Sequence, residues 1–146
     1  MDTYDEEILR ELAKNGRIAN VDLARRIGLS PSACLRRVQA LERDGAIRGY
    51  RADIDPAARG VTMLAYVLVG LSPHTKAAQI SFERAMEAAP QVRECHNITG
   101  AYEYLLRVEA KDLARYKHFH TEVLGALPDL ASIRTFLVMS SPVDRR

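Results

Sequence analysis

The chain has 146 residues and carries 21 basic and 19 acidic side chains, a formal charge of +2, with 47% hydrophobic and 27% charged residues. That composition excludes a disordered, collagen-like or disulfide-dense chain and predicts one ordinary domain or two small ones. The longest apolar stretch, Met63 to Leu71, is too short to cross a bilayer, and Met1-Asp2-Thr3-Tyr4-Asp5-Glu6-Glu7 is acidic where a signal peptide is basic, so a cytoplasmic protein with no membrane partner is expected.

Charge is divided unevenly. Arg17 to Arg51 holds eight arginines against Asp22, Glu42 and Asp44, a balance of +5, whereas residues 53 to 146 hold eleven basic and eleven acidic residues. One part of the chain is suited to an anionic partner and the other is not.

Thr3-Tyr4-Asp5-Glu6 has the spacing of a capping box, and Ile8, Leu9, Leu12 and Ala13 recur at helical period until Asn15-Gly16 offers a left-handed stop. Asn20 is the expected cap of a short second helix, Val21 to Ile27, ended by Gly28. Ser30-Pro31 then opens a third helix reaching Arg43 or Asp44 before Gly45. Two helices joined by a short glycine-containing turn predict a helix-turn-helix.

On the third helix, at roughly 100° per residue, Cys34, Val38 and Leu41 form a narrow inward stripe. Ser32, Arg36, Gln39 and Arg43 lie opposite, with Ala33 and Ala40 close by. Arginine pairs with guanine and glutamine with adenine through two hydrogen bonds, and small residues permit close approach, so this face suits the major groove of double-stranded DNA. Arg37 on the flank, with Arg25, Arg26, Arg48, Arg51 and Ser30, are expected phosphate contacts. An ordinary solvated helix carries similar residues, and the charge bias favours DNA.

These residues also carry a resemblance. Asp5-Glu6-Glu7-Ile8-Leu9, Gly16-Arg17-Ile18 and the run from Leu29-Ser30-Pro31 through Arg36-Arg37-Val38 to Gly45-Ala46-Ile47 resemble the DNA-binding domain of the leucine-responsive regulator/asparagine regulator (Lrp/AsnC) family. The likeness continues through Gly49-Tyr50 and Asp55-Pro56, which resemble the strand and link leading into that family's effector domain.

Residues 47 to 53 are strand-like, and Asp55-Pro56 marks a turn. The run Val61 to Leu71 reads as a central strand whose two alternating sets, Met63, Ala65, Val67, Val69 and Leu64, Tyr66, Leu68, are both apolar, so both sheet faces are expected to be covered. Lys76 to Ala89 reads as a helix with Ala78, Phe82, Ala85 and Met86 inward. Strands at Val92 to Ile98 and Tyr102 to Ala110 flank a tight turn at Gly100. Asp112 caps a helix with Leu113, Tyr116, His120, Val123, Leu124 and Leu127 recurring at helical period, Pro128 stops it, and Ile133 to Met139 is the last strand.

The expected class is α+β, an N-terminal helix-turn-helix domain (1–46), a strand and hinge linker (47–60) and a C-terminal ferredoxin-like βαββαβ domain (61–146). Its helices share one sheet face, so the other is left for a second sheet, most simply that of an identical subunit. Such a homodimer would set two recognition helices on a pseudo-palindromic operator.

Ile98-Thr99-Gly100-Ala101-Tyr102-Glu103-Tyr104 resembles the family's effector-domain signature, with Glu103 where aspartate is usual and Ala101 where a polar residue is common. The resemblance implies an amino acid bound between dimers that assemble into tetramers or octamers. It places Gly100, Ala101, Tyr102, Glu103 and Tyr104 along one wall, with Thr135 and Leu137 as further candidates. Backbone amides near Gly100 suit a carboxylate, Glu103 an ammonium, and the tyrosines an apolar side chain. Read from pattern alone, the same residues make a plain hairpin with core tyrosines.

His118 and His120 sit on different sides of a helix, and Cys95 and His96 on opposite faces of a strand, so neither pair forms a metal or nucleophile site. No P-loop, GxSxG or GxGxxG occurs, and no catalytic residue, metal or cofactor is expected. The competing expectation is a small metabolic enzyme or amino-acid-binding module whose helical domain serves protein contacts.

Overall fold

A computed structural model describes residues 1–144 and divides the chain into two compact units, Met1–Asp53 and the part from Ile54 onward. In the first unit, α1 (Thr3–Lys14), α2 (Asn20–Ile27) and α3 (Pro31–Arg43) enclose a core of Ile8, Leu23, Ala24, Ile27, Cys34 and Leu41. The caps differ in detail from the sequence expectation. The capping box of α1 is Asp2 with Asp5, each side chain accepting from the other's backbone N–H, one residue earlier than the threonine. Helix α1 ends at Asn15 in extended backbone without a left-handed residue, and Asn15 Oδ1 accepts from the Arg17 amide. Ala19 is the cap of α2 and makes no side-chain bond. Asn20 instead donates Nδ2 to the Pro31 carbonyl at 2.8 Å, joining the starts of α2 and α3.

Gly28 ends α2 at φ 72°, a left-handed conformation that glycine adopts without a Cβ penalty. The expected strand at 47–53 is absent. Among the described residues no strand lies beside these to form a ladder; Ile47 bonds back to Leu41 and Tyr50 Oη donates to Glu42 at 2.8 Å. Residues 56–59 form a 3-10 turn capped by Asp55, and Arg59 reaches Glu109 at 2.9 Å within the second unit.

That unit runs β1 (Met63–Leu71), α4 (Lys76–Ala88), β2 (Val92–Asn97), β3 (Tyr104–Ala110), α5 (Leu113–His118) with a π-helical continuation Phe119–Leu124, and β4 (Leu130–Leu137). The sheet is antiparallel in the order β2-β3-β1-β4, the ferredoxin-like arrangement. Alternation sends Ala65, Val67, Val69 and Leu71 of β1 and Tyr104, Leu106, Val108 and Ala110 of β3 toward Phe82, Met86, Phe119 and Leu124 of the helices. On the other face Leu64, Tyr66, Leu68 and Leu105 are half-buried, and Phe136 is exposed. Arg107 and Glu109 are buried there and ion-paired at 2.7 Å.

The last helix departs from the expected spacing. Leu113 is 67% exposed and His120 is exposed, while Phe119 is fully buried. The π turn, in which the Gly125 amide bonds to the His120 carbonyl, widens the helix and replaces the 3.6-residue register. Gly125 permits it, since a Cβ there would lie 2.6 Å from the Thr121 carbonyl oxygen.

Candidate DNA-binding and effector-binding sites

The start of α3 is fixed by local chemistry. Ser30 Oγ accepts from the Ala33 amide at 3.3 Å, Pro31 occupies the first turn, and the Asn20–Pro31 bond holds that turn against α2. The helix then presents Ser32, Arg36, Gln39 and Arg43 to solvent, with Ala33 and Ala40 partly exposed beside them. Arg36 and Gln39 have no ion pair or side-chain hydrogen bond among the described residues, and Arg43 meets only the adjacent Asp44, at 3.4 Å. Donors held on a rigid helix without internal partners are suited to an external acceptor.

The other arginines divide. Arg48 and Arg51 are exposed and without an ion pair among the described residues. Arg25 makes an exposed pair with Asp22 at 3.1 Å, which water and salt screen strongly. Arg26 meets Glu11 at 2.7 Å. Arg37 departs from the expectation of an available phosphate contact. Its guanidinium bonds Asp5 at 2.9 Å and Asp2 at 2.8 Å and lies 5.3 Å from the centre of the Tyr4 ring. Hydrogen bonds to Asp5 and then Asp2 raise its pKa further, so Arg37 binds α3 to the start of α1.

In the second unit, Gly100 takes φ 118° at the tip of the β2-β3 connection, and the Ile98 amide donates to the Glu103 carbonyl at 2.9 Å. The Glu103 amide turns to Val69 of β1 at 3.0 Å, which is why β3 begins at Tyr104 and not at Tyr102. Gly100, Ala101, Tyr102 and Glu103 therefore form one exposed-to-half-buried corner.

Glu103 is already engaged. Its Oε2 accepts from the Leu71 amide at 2.7 Å and its Oε1 lies 2.8 Å from His74 Nδ1. Gly70 lies against Ser132 Oγ, which a Cβ there would strike, while Glu103 Oε2 would stand at an ordinary contact distance of 3.6 Å from it. Tyr102 carries the Arg134 guanidinium 6.0 Å from its ring centre.

Tyr104 does not join this wall: it is 1% exposed, stacks on Phe82 at 4.6 Å and donates to Glu83 at 2.6 Å in the helix-facing core. Thr135 also faces that side and bonds the Tyr116 hydroxyl, whereas Leu137 is exposed at the end of β4. Sequence reasoning missed His74 and Arg134. Both come from distant segments, and only the β1-β4 register and the loop after β1 bring them to the corner.

A groove of about 310 Å³ separates α4 from β2, lined in part by Glu83, Cys95, Asn97 and Tyr104. Partial burial and the Glu83 charge push the Cys95 thiol up to about 11, which disfavours a reactive thiolate at neutral pH. Cys95 and His96 pair with Leu106 and Leu105 respectively, hence on opposite faces. Among the described residues no group of three His, Cys, Asp or Glu side chains is placed to hold a metal ion, and no helix is long and apolar enough to cross a membrane.

Residues 1–48 match the family model of a winged helix-turn-helix DNA-binding domain, and residues 64–146 that of the Lrp/AsnC ligand-binding domain. The chain belongs to the Lrp/AsnC family. It is 38% identical over 139 residues to the leucine-responsive regulatory protein of Escherichia coli K12, covering 95% of this chain and 85% of that protein. Among solved structures, a transcriptional regulator of Neisseria meningitidis in complex with L-Met superposes with a TM-score of 0.94 at 31% identity, over 99% of this chain and 93% of that one. AsnC of E. coli gives 0.91 at 25% identity, over 100% and 97%. This Lrp/AsnC protein is accordingly a transcription regulator with a helix-turn-helix DNA-binding domain and a ligand-binding domain.

Proposed function

We propose that this regulator binds a pseudo-palindromic DNA operator as a homodimer or a higher assembly of dimers, and that a free amino acid tunes that binding. The observation that carries the DNA reading is the outward face of α3, where Arg36 and Gln39 stand exposed without side-chain partners among the described residues. Arg36 and Gln39 are the base-reading residues, with Ser32, Ala33, Ala40 and Arg43 around them. Ser30, Arg25, Arg26, Arg48 and Arg51 are the phosphate contacts. Operator affinity measured against salt checks this. It is expected to fall steeply, with Arg36→Ala relaxing base preference and Arg48→Ala weakening all sequences and lowering the salt slope by about 1. Equal affinity at low and high salt contradicts the reading.

The effector corner is Gly100 to Glu103, joined by His74 and Arg134, which offers a carboxylate for an ammonium and a guanidinium for a carboxylate. The L-Met bound to the neisserial relative supports an amino acid as the ligand class. A thermal panel of free amino acids identifies it, since a ligand at 100 times its dissociation constant adds about 2.7 kcal/mol. Calorimetry of Glu103→Ala is then expected to show weakened binding, and unchanged affinity excludes Glu103.

The half-buried apolar sheet face, with Tyr66, Leu68 and exposed Phe136, supports pairing with an identical subunit, and a monomer at micromolar concentration in sedimentation contradicts it. The segment between the last contact of the first unit and the 3-10 turn of the second serves as the hinge, within Arg48 to Pro56. The chain acts in the cytoplasm and catalyses no reaction, with its chemistry confined to binding.

A further inference from the structure

We infer that Leu35 reads the methyl group of a thymine next to the base contacted by Gln39, an inference that rests on the reading of α3 as the DNA-contacting helix. The apolar side chains of α3 otherwise turn inward: Cys34 is fully buried, Leu41 is 7% exposed and Val38 packs against the same core. Leu35 is 46% exposed and contributes nothing to that core. Of the other exposed apolar residues of this unit, Tyr4 lies beneath the Arg37 guanidinium and Tyr50 bonds Glu42, while Met1 and Val21 lie outside α3, which leaves Leu35 as the exposed large apolar side chain of that helix. Leu35 has neither kind of contact.

Its place on the helix gives it a function. Leu35 lies in the N-terminal half of α3, one turn before Gln39 and three residues after Ser32, and neighbours at these spacings stand about 5–6 Å apart at Cβ. That separation spans one to two base-pair steps, at about 3.4 Å each. N-terminal residues of a recognition helix are the ones that reach base edges. Leucine has no donor or acceptor, and the thymine methyl is the one apolar group that a base presents in the major groove. A glutamine reading adenine and a leucine covering the methyl of an adjacent pair would together select an A·T-containing step, a preference that arginine on the same helix does not supply.

The test begins with the full-length protein selecting duplexes from a random pool, after which each thymine of the selected duplex is replaced in turn by deoxyuridine, which lacks only the methyl. The expected result is one thymine per half-site whose replacement lowers wild-type affinity about fourfold, the value of burying one methyl group. Leu35→Ala is expected to bind the thymine and deoxyuridine duplexes equally, and Leu35→Met to keep the preference. The inference is overturned if the wild type tolerates deoxyuridine at every position, or if Leu35→Ala retains the same penalty. The deoxyuridine scan of the wild type stands whatever the variants do. Failure to enrich any duplex is a different outcome, one that overturns the DNA reading together with this inference.

Discussion

Arg37 shows how a single side chain changes meaning between sequence and structure. Beside Arg36 on a basic helix it looks like a phosphate contact. Folded, it is claimed by Asp5, Asp2 and the Tyr4 ring, three residues at the opposite end of the domain sequence. No periodicity announces such a clasp, because the acids that make it also look like ordinary helix-start carboxylates. Arg37→Ala is expected to lower the melting temperature of the first unit while leaving the salt slope of DNA binding unchanged. A phosphate contact predicts the reverse, a slope reduced by about 1 with stability unaffected. Calorimetry and a salt titration on the same variant distinguish the two. His74 was illegible for a related reason: its partner Glu103 is set by the loop after β1, a tertiary fact with no local signature.

Elements were legible where their signals are local. Ser30-Pro31, Gly28 and the Ala78, Phe82, Met86 spacing fix α3, the end of α2 and the inner face of α4, and all three appear where their residues place them. The strand expected at 47–53 is not formed because a strand is a property of two segments, and none among the described residues of this chain lies beside this one to pair with it. The last helix fails for a subtler reason. Its apolar residues fit a 3.6-residue period, but the π turn puts Phe119 and Leu124, five residues apart, together in the core, while Leu113 in the first α-helical turn stays exposed. Phe119→Ala is therefore expected to destabilise the second unit by roughly 3–5 kcal/mol, the cost of emptying an aromatic core position. Leu113→Ala, at an exposed site, is expected to change stability by less than about 0.5 kcal/mol in chemical denaturation. Equal losses for the two variants contradict this placement of the two side chains.

For the whole molecule, the sequence shows a division of labour, a basic first unit and a charge-balanced second one, and each unit contains its own core. The second core covers one side of the sheet only. On the other side the buried Arg107–Glu109 pair, joined by Arg59, sits among apolar residues. Burial opposes ionisation of Glu109, but the Arg107 hydrogen bond and the Arg107 and Arg59 charges outweigh it and hold its carboxyl below the usual carboxylate range. Its folded pKa is depressed, so its contribution to stability is present above the ordinary value of 4.5 and is lost as pH falls through the depressed one. Thermal unfolding against pH is expected to show this loss in the wild type. Glu109→Ala is expected to flatten that limb and to cost about 3 kcal/mol at neutral pH, because Arg107 is left buried without its principal partner.

The engagement of Glu103 by the Leu71 amide and His74 has a consequence for any ligand of the effector corner. In the proposed corner, an ammonium pairing with Glu103 meets a carboxylate already bonded to the protein's own imidazole and strand end, so where it displaces either of them its affinity is the difference between two sets of bonds. Selectivity among amino acids then falls to whatever else each side chain touches, since every one of them meets the same competitor at its ammonium.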